Sequence, residues 1–300
     1  MKTILTLTLS PAIDIEYHTD EVNPAGLNRT SSHTVTAGGK GINVSRVIGR
    51  CLNRRIRLPE EVRLVTVAPA GGAMGRLLCD ILDSEGIALT AVEIEENTRT
   101  NVSLIARDGG EIEINAPGTP VGDKLGEIEK IVLDSVGEGD VAVIAGSCPS
   151  DVPKSYPAEL CAKIKAKGAY CILDCDGEAL KIAVNADCVP DLIKPNAQEL
   201  SGLVGKTLVT TQELAAAAES LAVPVVITTM AGDGAMITRE VNDYRATTLV
   251  PTEKMSVVRL KGAGDTFLGA FVYAKYAAAM TDIEAMSFAS DLAGHYVAGE

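Results

Sequence analysis

Apolar residues fall into short continuous runs and longer stretches of helical period, and the two kinds alternate along most of the chain. The opening MKTILTLTL is the first run. Lys2 before apolar residues gives it a passing likeness to a secretion signal. Thr3, Thr6 and Thr8 interrupt it and no small-residue cleavage site follows, so it reads as a β-strand. Residues 13 to 36 are polar with alternating stretches, IDIEYHT and SSHTVT, the mark of exposed strands. GGKGINVSRVIGRCL predicts a glycine turn into a helix, with Ile42, Val47 and Ile48 among its apolar positions. RRIRLPEEVR, residues 54 to 63, reads as a solvated helix-to-strand connection. VRLVTVAPA then predicts a buried strand and GAMGRLLCDILDSEG a helix.

Strand patterning returns over 89 to 116, where NVSLIA and EIEINA flank RDGG and Asp108-Gly109 signals a hairpin. Both polar strand segments interrupt an otherwise regular order, so they are expected to pair as a small separate sheet formed by about 13–37 and 89–116. From about 122 the order is regular. Helices lead in turn to VAVIAG, YCILD and DLIKP, and TTQELAAAAESLA precedes VPVVITT. GAMIT and YRATTLV follow, and two helices from about 264 and about 281 end the chain. Alternating β and α with continuous apolar strands predicts an α/β fold whose parallel sheet is covered on both faces. There is no linker and no repeat, so 1–300 reads as a single domain.

Composition narrows the function. Net charge is −13, tryptophan is absent and aromatics make up 3% of residues, which argues against nucleic-acid partners. An anionic substrate would need a local cationic pocket. The seven cysteines have no CxxC spacing, which predicts free thiols in a reducing cytoplasm. Cys171 and Cys175 read as small core residues, as does Cys148. No apolar run is long enough to span a membrane.

In an open parallel sheet, ligands bind beyond the carboxyl ends of the strands. The residues there are Asp14, Ser147, Pro149, Asp174, Lys194, Asn196, Thr229 to Gly234 and the loop at Gly262. In GGKG, residues 38 to 41, glycines permit close backbone approach and Lys40 adds a charge, though a helix-entry turn explains it equally. Arg99, in ENTRTNVSL, could grip a phosphate bidentately or lie in solvent. Asn196 and Glu199, in KPNAQEL, could organise Mg²⁺ through water or simply cap a helix. In KGAGDTFLGAF the glycines could close backbone N–H groups round a phosphate beside Asp265, or Asp265 could be an ordinary helix-start acid.

Taken in order, SPAID, TAGGKGINVSRV, TRTNV, EINAPG, AGSCP, ILDCDGEAL, LIKPNAQEL and GAGDTFLGAF resemble the ribokinase-like carbohydrate kinases of the phosphofructokinase B branch. The likeness is strongest to the 1-phosphofructokinase and tagatose-6-phosphate kinase group, and it runs through most of the chain. It implies a three-layer sandwich with a mostly parallel sheet and a small β-sheet lid, which commonly serves as a dimer interface. The implied roles are a general base at Asp265, with Gly262, Ala263 and Gly264 as its anion hole. Asn196 and Glu199 resemble the element tied to Mg²⁺. Asp14, Gly39 and Asn43 resemble sugar contacts. Lys40, Arg99 and Ser147 resemble contacts to a phosphate the substrate already carries. Lys194, Thr229, Gly232 and Gly234 are expected on the nucleotide side. Three positions depart from the pattern: Ser10 stands for the usual asparagine, Ala231 for a glycine, and Lys261 for a small or apolar residue.

The resemblance therefore implies a cytoplasmic, ATP- and Mg²⁺-dependent kinase that converts a phosphorylated ketohexose to a bisphosphate. The candidates are fructose 1-phosphate, tagatose 6-phosphate and fructose 6-phosphate. A kinase of an unphosphorylated sugar or nucleoside is one alternative, though it would leave Lys40 and Arg99 without a partner. A non-catalytic sugar-phosphate-binding regulatory protein is the other.

Overall fold

The computed structural model describes residues 1–54, 61–107, 109–175, 177–253, 258 and 260–299. The chain opens with strands β1 (Lys2–Leu7), β2 (Ala12–Thr19) and β3 (Ser32–Gly38) and helix α1 (Lys40–Asn53). Then come β4 (Val62–Gly71), α2 (Gly72–Ser84), β5 (Leu89–Ile94), β6 (Arg99–Ala106) and β7 (Glu111–Ile114). The regular half follows: α3 (Leu125–Ser135), β8 (Val141–Ala145), α4 (Tyr156–Ala166), β9 (Tyr170–Asp174), α5 (Gly177–Val184), β10 (Leu192–Ile193), α6 (Ala197–Val204), α7 (Thr211–Glu219) and β11 (Val225–Thr229). It closes with β12 (Ala235–Val241), β13 (Tyr244–Val250), α8 (Ala263–Val272) and α9 (Asp282–Ala298).

Among the described residues nine strands form one sheet in the order β13-β12-β11-β10-β9-β8-β1-β4-β5. It is parallel from β11 to β5, and β12 and β13 add an antiparallel edge. A second sheet has the order β3-β2-β6-β7. The residues of MKTILTLTL that resemble a signal form β1, which is hydrogen-bonded to β4 and β8 at the centre of the large sheet. Strand alternation divides the core. Leu5, Leu7, Ala142, Ile144 and Leu173 face α3 to α7, whereas Ile4, Val143 and Ile172 face α1, α8 and α9. Each such fully buried leucine or isoleucine stabilises the fold by about 1.5–3 kcal/mol, and helix, sheet and helix make the three layers expected. No described helix is long and apolar enough to cross a membrane.

One expectation is corrected. Residues 89 to 94 do not join the small sheet. They form β5, which pairs in parallel with β4 at the edge of the large one, from Thr66 opposite Leu89 to Gly71 opposite Ile94. The chain leaves β4, crosses through α2 and returns in parallel beside it, a short βαβ crossover. The small sheet therefore takes only Arg99–Ala106 and Glu111–Ile114 from that region. Asp108 and Asp176, and the 55–60 part of RRIRLPEEVR, lie outside the described residues. The ladder on either side of Asp108 is a hairpin, closed by Ala106 N–H on the Gly110 carbonyl at 2.7 Å.

Candidate active site

The entry to α8 sets the surroundings of Asp265 in KGAGDTFLGAF. Gly262 holds the left-handed conformation at φ +84, and a Cβ there would meet the Tyr296 hydroxyl at 2.7 Å. That hydroxyl in turn donates to the Lys261 carbonyl at 2.9 Å, so the turn is fixed by α9. Glycine is needed both for the dihedral and for the space. Ala263 N–H donates to the Leu260 carbonyl at 3.1 Å, so among the predicted anion-hole donors this one is engaged within the turn. The next amides open at the helix start, where N–H groups and the dipole favour an anion.

Asp265 lies in this first turn and is buried, with 9% exposure. Asn43 Nδ2 donates to its carboxylate at 2.7 Å. Asn43 Oδ1 accepts from Arg46 at 2.8 Å, so Arg46 sets which way the amide points. Arg46 is itself anchored by Glu85 at 2.7 Å and by the Ala37 carbonyl at 3.0 Å. The Asn43 amide, expected on the sugar, donates to Asp265, and Arg46 is a site residue the local pattern did not announce.

A dipole at the helix start predicts an unusually acidic Asp265. The opposite holds. Burial, and then the neighbouring Asp174, push the carboxyl up to about 6, against the opposing effects of Asn43, Lys194 and Lys40. Removal from water outweighs the dipole here.

Asp174, at the exit of β9, is almost wholly buried. Its Oδ1 lies 3.7 Å from Lys40 Nζ and its Oδ2 3.5 Å from Lys194 Nζ. Lys194 is buried, and a Cβ on Gly264 would lie 3.4 Å from its ammonium, so it borders the α8 entry. Lys40 and Lys194 therefore converge from α1 and β10 on the Asp265 corner.

On the small-sheet side, Asp14 in β2 accepts from Asn101 Nδ2 at 2.8 Å. A Cβ on Gly38 would overlap the Asp14 carboxylate, which explains the first glycine of the pair. Gly39 sits at φ +127, and a Cβ there would meet Thr8 at 2.7 Å. Arg99 is half-buried rather than spread on the surface. Its guanidinium donates to the Ala116 carbonyl at 2.9 Å and the Ser10 carbonyl at 3.1 Å, and its Nε is buried without a hydrogen-bond partner among the described residues. Burial lowers its proton affinity and Asp14 raises it. Ser147 is exposed just past β8, in a cavity of about 260 Å³ that Cys148 and Cys175 also line. Both cysteines are buried against the core, as expected.

On the other flank, Asn196 and Glu199 make a complete capping box for α6. Asn196 Oδ1 accepts Glu199 N–H, and Glu199 Oε2 accepts Asn196 N–H, each at 2.8 Å. The capping role is thus realised, and the second Glu199 oxygen remains for water or a hydrated cation. Thr229 lies beside Asn196 through a parallel bridge. The turn that follows holds Gly232, exposed, and Gly234 at φ +92. Ala231, standing where a glycine is usual, has φ +50. That conformation costs a residue with a Cβ roughly 1–2 kcal/mol. Ala231→Gly is therefore expected to raise unfolding stability by up to ~1 kcal/mol, read as a higher denaturant midpoint at unchanged slope. Lys261 reaches across to Glu113 on β7 at 3.4 Å.

The family model for pfkB carbohydrate kinases matches residues 5–298. A 1-phosphofructokinase of Bacillus subtilis is 34% identical over 272 residues, covering 90% of this chain and 84% of that protein. A tagatose-6-phosphate kinase of Staphylococcus epidermidis is 31% identical over 271 residues, covering 88% of this chain and 82% of that one. The crystal structure of phosphofructokinase-2 from Escherichia coli in complex with fructose-6-phosphate superposes with a TM-score of 0.87 at 29% identity, over 99% of this chain and 94% of that one.

Proposed function

The chain belongs to the pfkB family of carbohydrate kinases, and on that footing we propose that it transfers the terminal phosphoryl group of ATP to a primary hydroxyl of a phosphorylated ketohexose, with Asp265 as general base. The observation that carries the reading is the buried carboxylate at the start of α8, held by Asn43 and approached by Lys40 and Lys194.

Phosphoryl transfer needs alignment and charge neutralisation more than covalent help. Asp265 accepts the proton as the hydroxyl attacks. The amides at the α8 entry receive the transferring group. Lys40 and Lys194 offset the charge that gathers beside them. Asp14 and Gly39 border the sugar, and Arg99 with Ser147 takes the phosphate the substrate already bears. Thr229, Gly232 and Gly234 border the nucleotide. Mg²⁺ would neutralise the nucleotide's phosphates, and Glu199 with Asn196 would hold it through water, which suits a cation that sheds its hydration reluctantly. The small sheet carries Asp14 and Arg99, so its closure would bring substrate contacts and exclude water together. Val35 and Ile114, exposed apolar residues on β3 and β7, support a second copy of the chain packing there.

The substrate class can be tested at Arg99. Loss of a charge-assisted contact of about 1.5–3 kcal/mol predicts that Arg99→Met raises the KM for the phosphosugar roughly 10–100-fold. The KM for ATP should stay near its original value. Equal losses for both substrates would place Arg99 in the scaffold instead.

A further inference from the structure

We propose that Asp174 is a positioning residue for the phosphoryl transfer: it holds the Lys40 and Lys194 ammonium groups on either side of the reaction centre and keeps them off Asp265. The inference rests on the reading of Asp265 as the base.

The geometry is that of a bridge. Each carboxylate oxygen of Asp174 faces one lysine, Oδ1 towards Lys40 at 3.7 Å and Oδ2 towards Lys194 at 3.5 Å. The side chain is 1% exposed, and neither oxygen accepts a hydrogen bond among the described residues. An anion so deeply buried is costly unless cations compensate it. A strand exit needs no such group for its fold, because backbone N–H donors or an apolar side chain would end β9 without that cost. The lysines come from elements far apart in sequence, α1 and the β10 exit, and Asp174 is where they meet.

The charge balance gives the arrangement a purpose. The groups facing Asp265 are Asn43 and Lys40 from α1, Asp174 at the end of β9 and Lys194 after β10, with Tyr296 of α9 lying across Gly262. Two ammonium groups and two carboxylates balance. If both lysines turned to Asp265, they would stabilise its anion and weaken it as a base. Drawn onto Asp174, they leave the neutral Asn43 amide as the one side chain that hydrogen-bonds Asp265 among the described residues. They also stay beside the α8 entry, where the transferring group brings negative charge.

The test is Asp174→Asn, read by kcat, by the KM for ATP and by the acid limb of the pH–rate profile. The proposal expects kcat to fall at least about tenfold and the KM for ATP to change less than about threefold. The acid limb should move to lower pH by about one unit, because a like charge is lost and the lysines turn to the base. A merely structural role would lower the amount of folded enzyme without moving the limb. An unmoved limb with wild-type kcat would overturn the proposal. If the single variant does not fold, Asp174→Asn/Lys194→Met removes one charge of each sign. Its limb is then expected below that of Lys194→Met alone, and coincidence of the two limbs would contradict the proposal. Failure of the underlying reading looks different, since Asp265→Asn would then retain turnover.

Discussion

Asp265→Asn is expected to lower kcat by about 10²–10⁴, the usual contribution of a positioned general base. The KM values for sugar and nucleotide should change little, because the amide fills the same space. Stability should not suffer. A carboxyl whose proton affinity is raised in the folded state, from the ordinary aspartate range up to about 6, costs the native protein stability above that pH. The cost fades as pH falls from about 6 towards 4, where the native state binds the extra proton. Removing the charge therefore stabilises the protein at neutral pH, by something on the order of 1–3 kcal/mol before other contacts adjust. An inactive variant that melts no lower than the parent would separate a chemical role from a structural one. Retained turnover would remove Asp265 from the mechanism.

The second large effect is on pH dependence. With the Asp265 carboxyl at about 6, the proposed base is ionised in all but a few per cent of molecules at pH 7.5. Below about 6, kcat/KM should fall tenfold for each pH unit, about a hundredfold by pH 4 if the fold persists. The residual activity of Asp265→Asn should show no such limb. An acid limb centred near the ordinary aspartate value would mean that the helix dipole, and not burial, sets this group. The dipole argument is what the sequence suggests, and the reason it fails lies in the third dimension. Asp174 is 91 positions away in the chain (265 − 174) and its charge adds to the cost of burial.

The same division separates what the chain announces locally from what only folding brings together. Strand runs such as VAVIAG and ILTLTL signal the buried parallel sheet because every residue in them must be apolar or small. The PNAQE helix start signals a capping box, which a three-residue spacing suffices to write, and it forms; the structure adds two more, Thr210 with Glu213 and Thr281 with Glu284. LTAVEI misleads because an edge strand of the large sheet exposes alternate residues just as a strand of the small sheet does. Periodicity reports the burial of each face, not the identity of the partner. Asn43 stands out only through the family resemblance, as a sugar contact, and Arg46 not at all, because their hydrogen bonds depend on Asp265 and Glu85, which only folding brings beside them. Asp174 stands in a strand exit whose chemistry appears only once Lys40 and Lys194 arrive. Ala231 shows the converse, a departure visible in the sequence whose cost appears only in its dihedral.

The measurement that bears most directly on the account is ADP release with MgATP across a panel of fructose 1-phosphate, tagatose 6-phosphate, fructose 6-phosphate, fructose, ribose and adenosine. Turnover on one or more of the phosphoketohexoses, with kcat/KM well above that for fructose, ribose and adenosine, is the result the account predicts. Turnover confined to the neutral acceptors would contradict it, because Arg99 and Ser147 would then have no phosphate to hold.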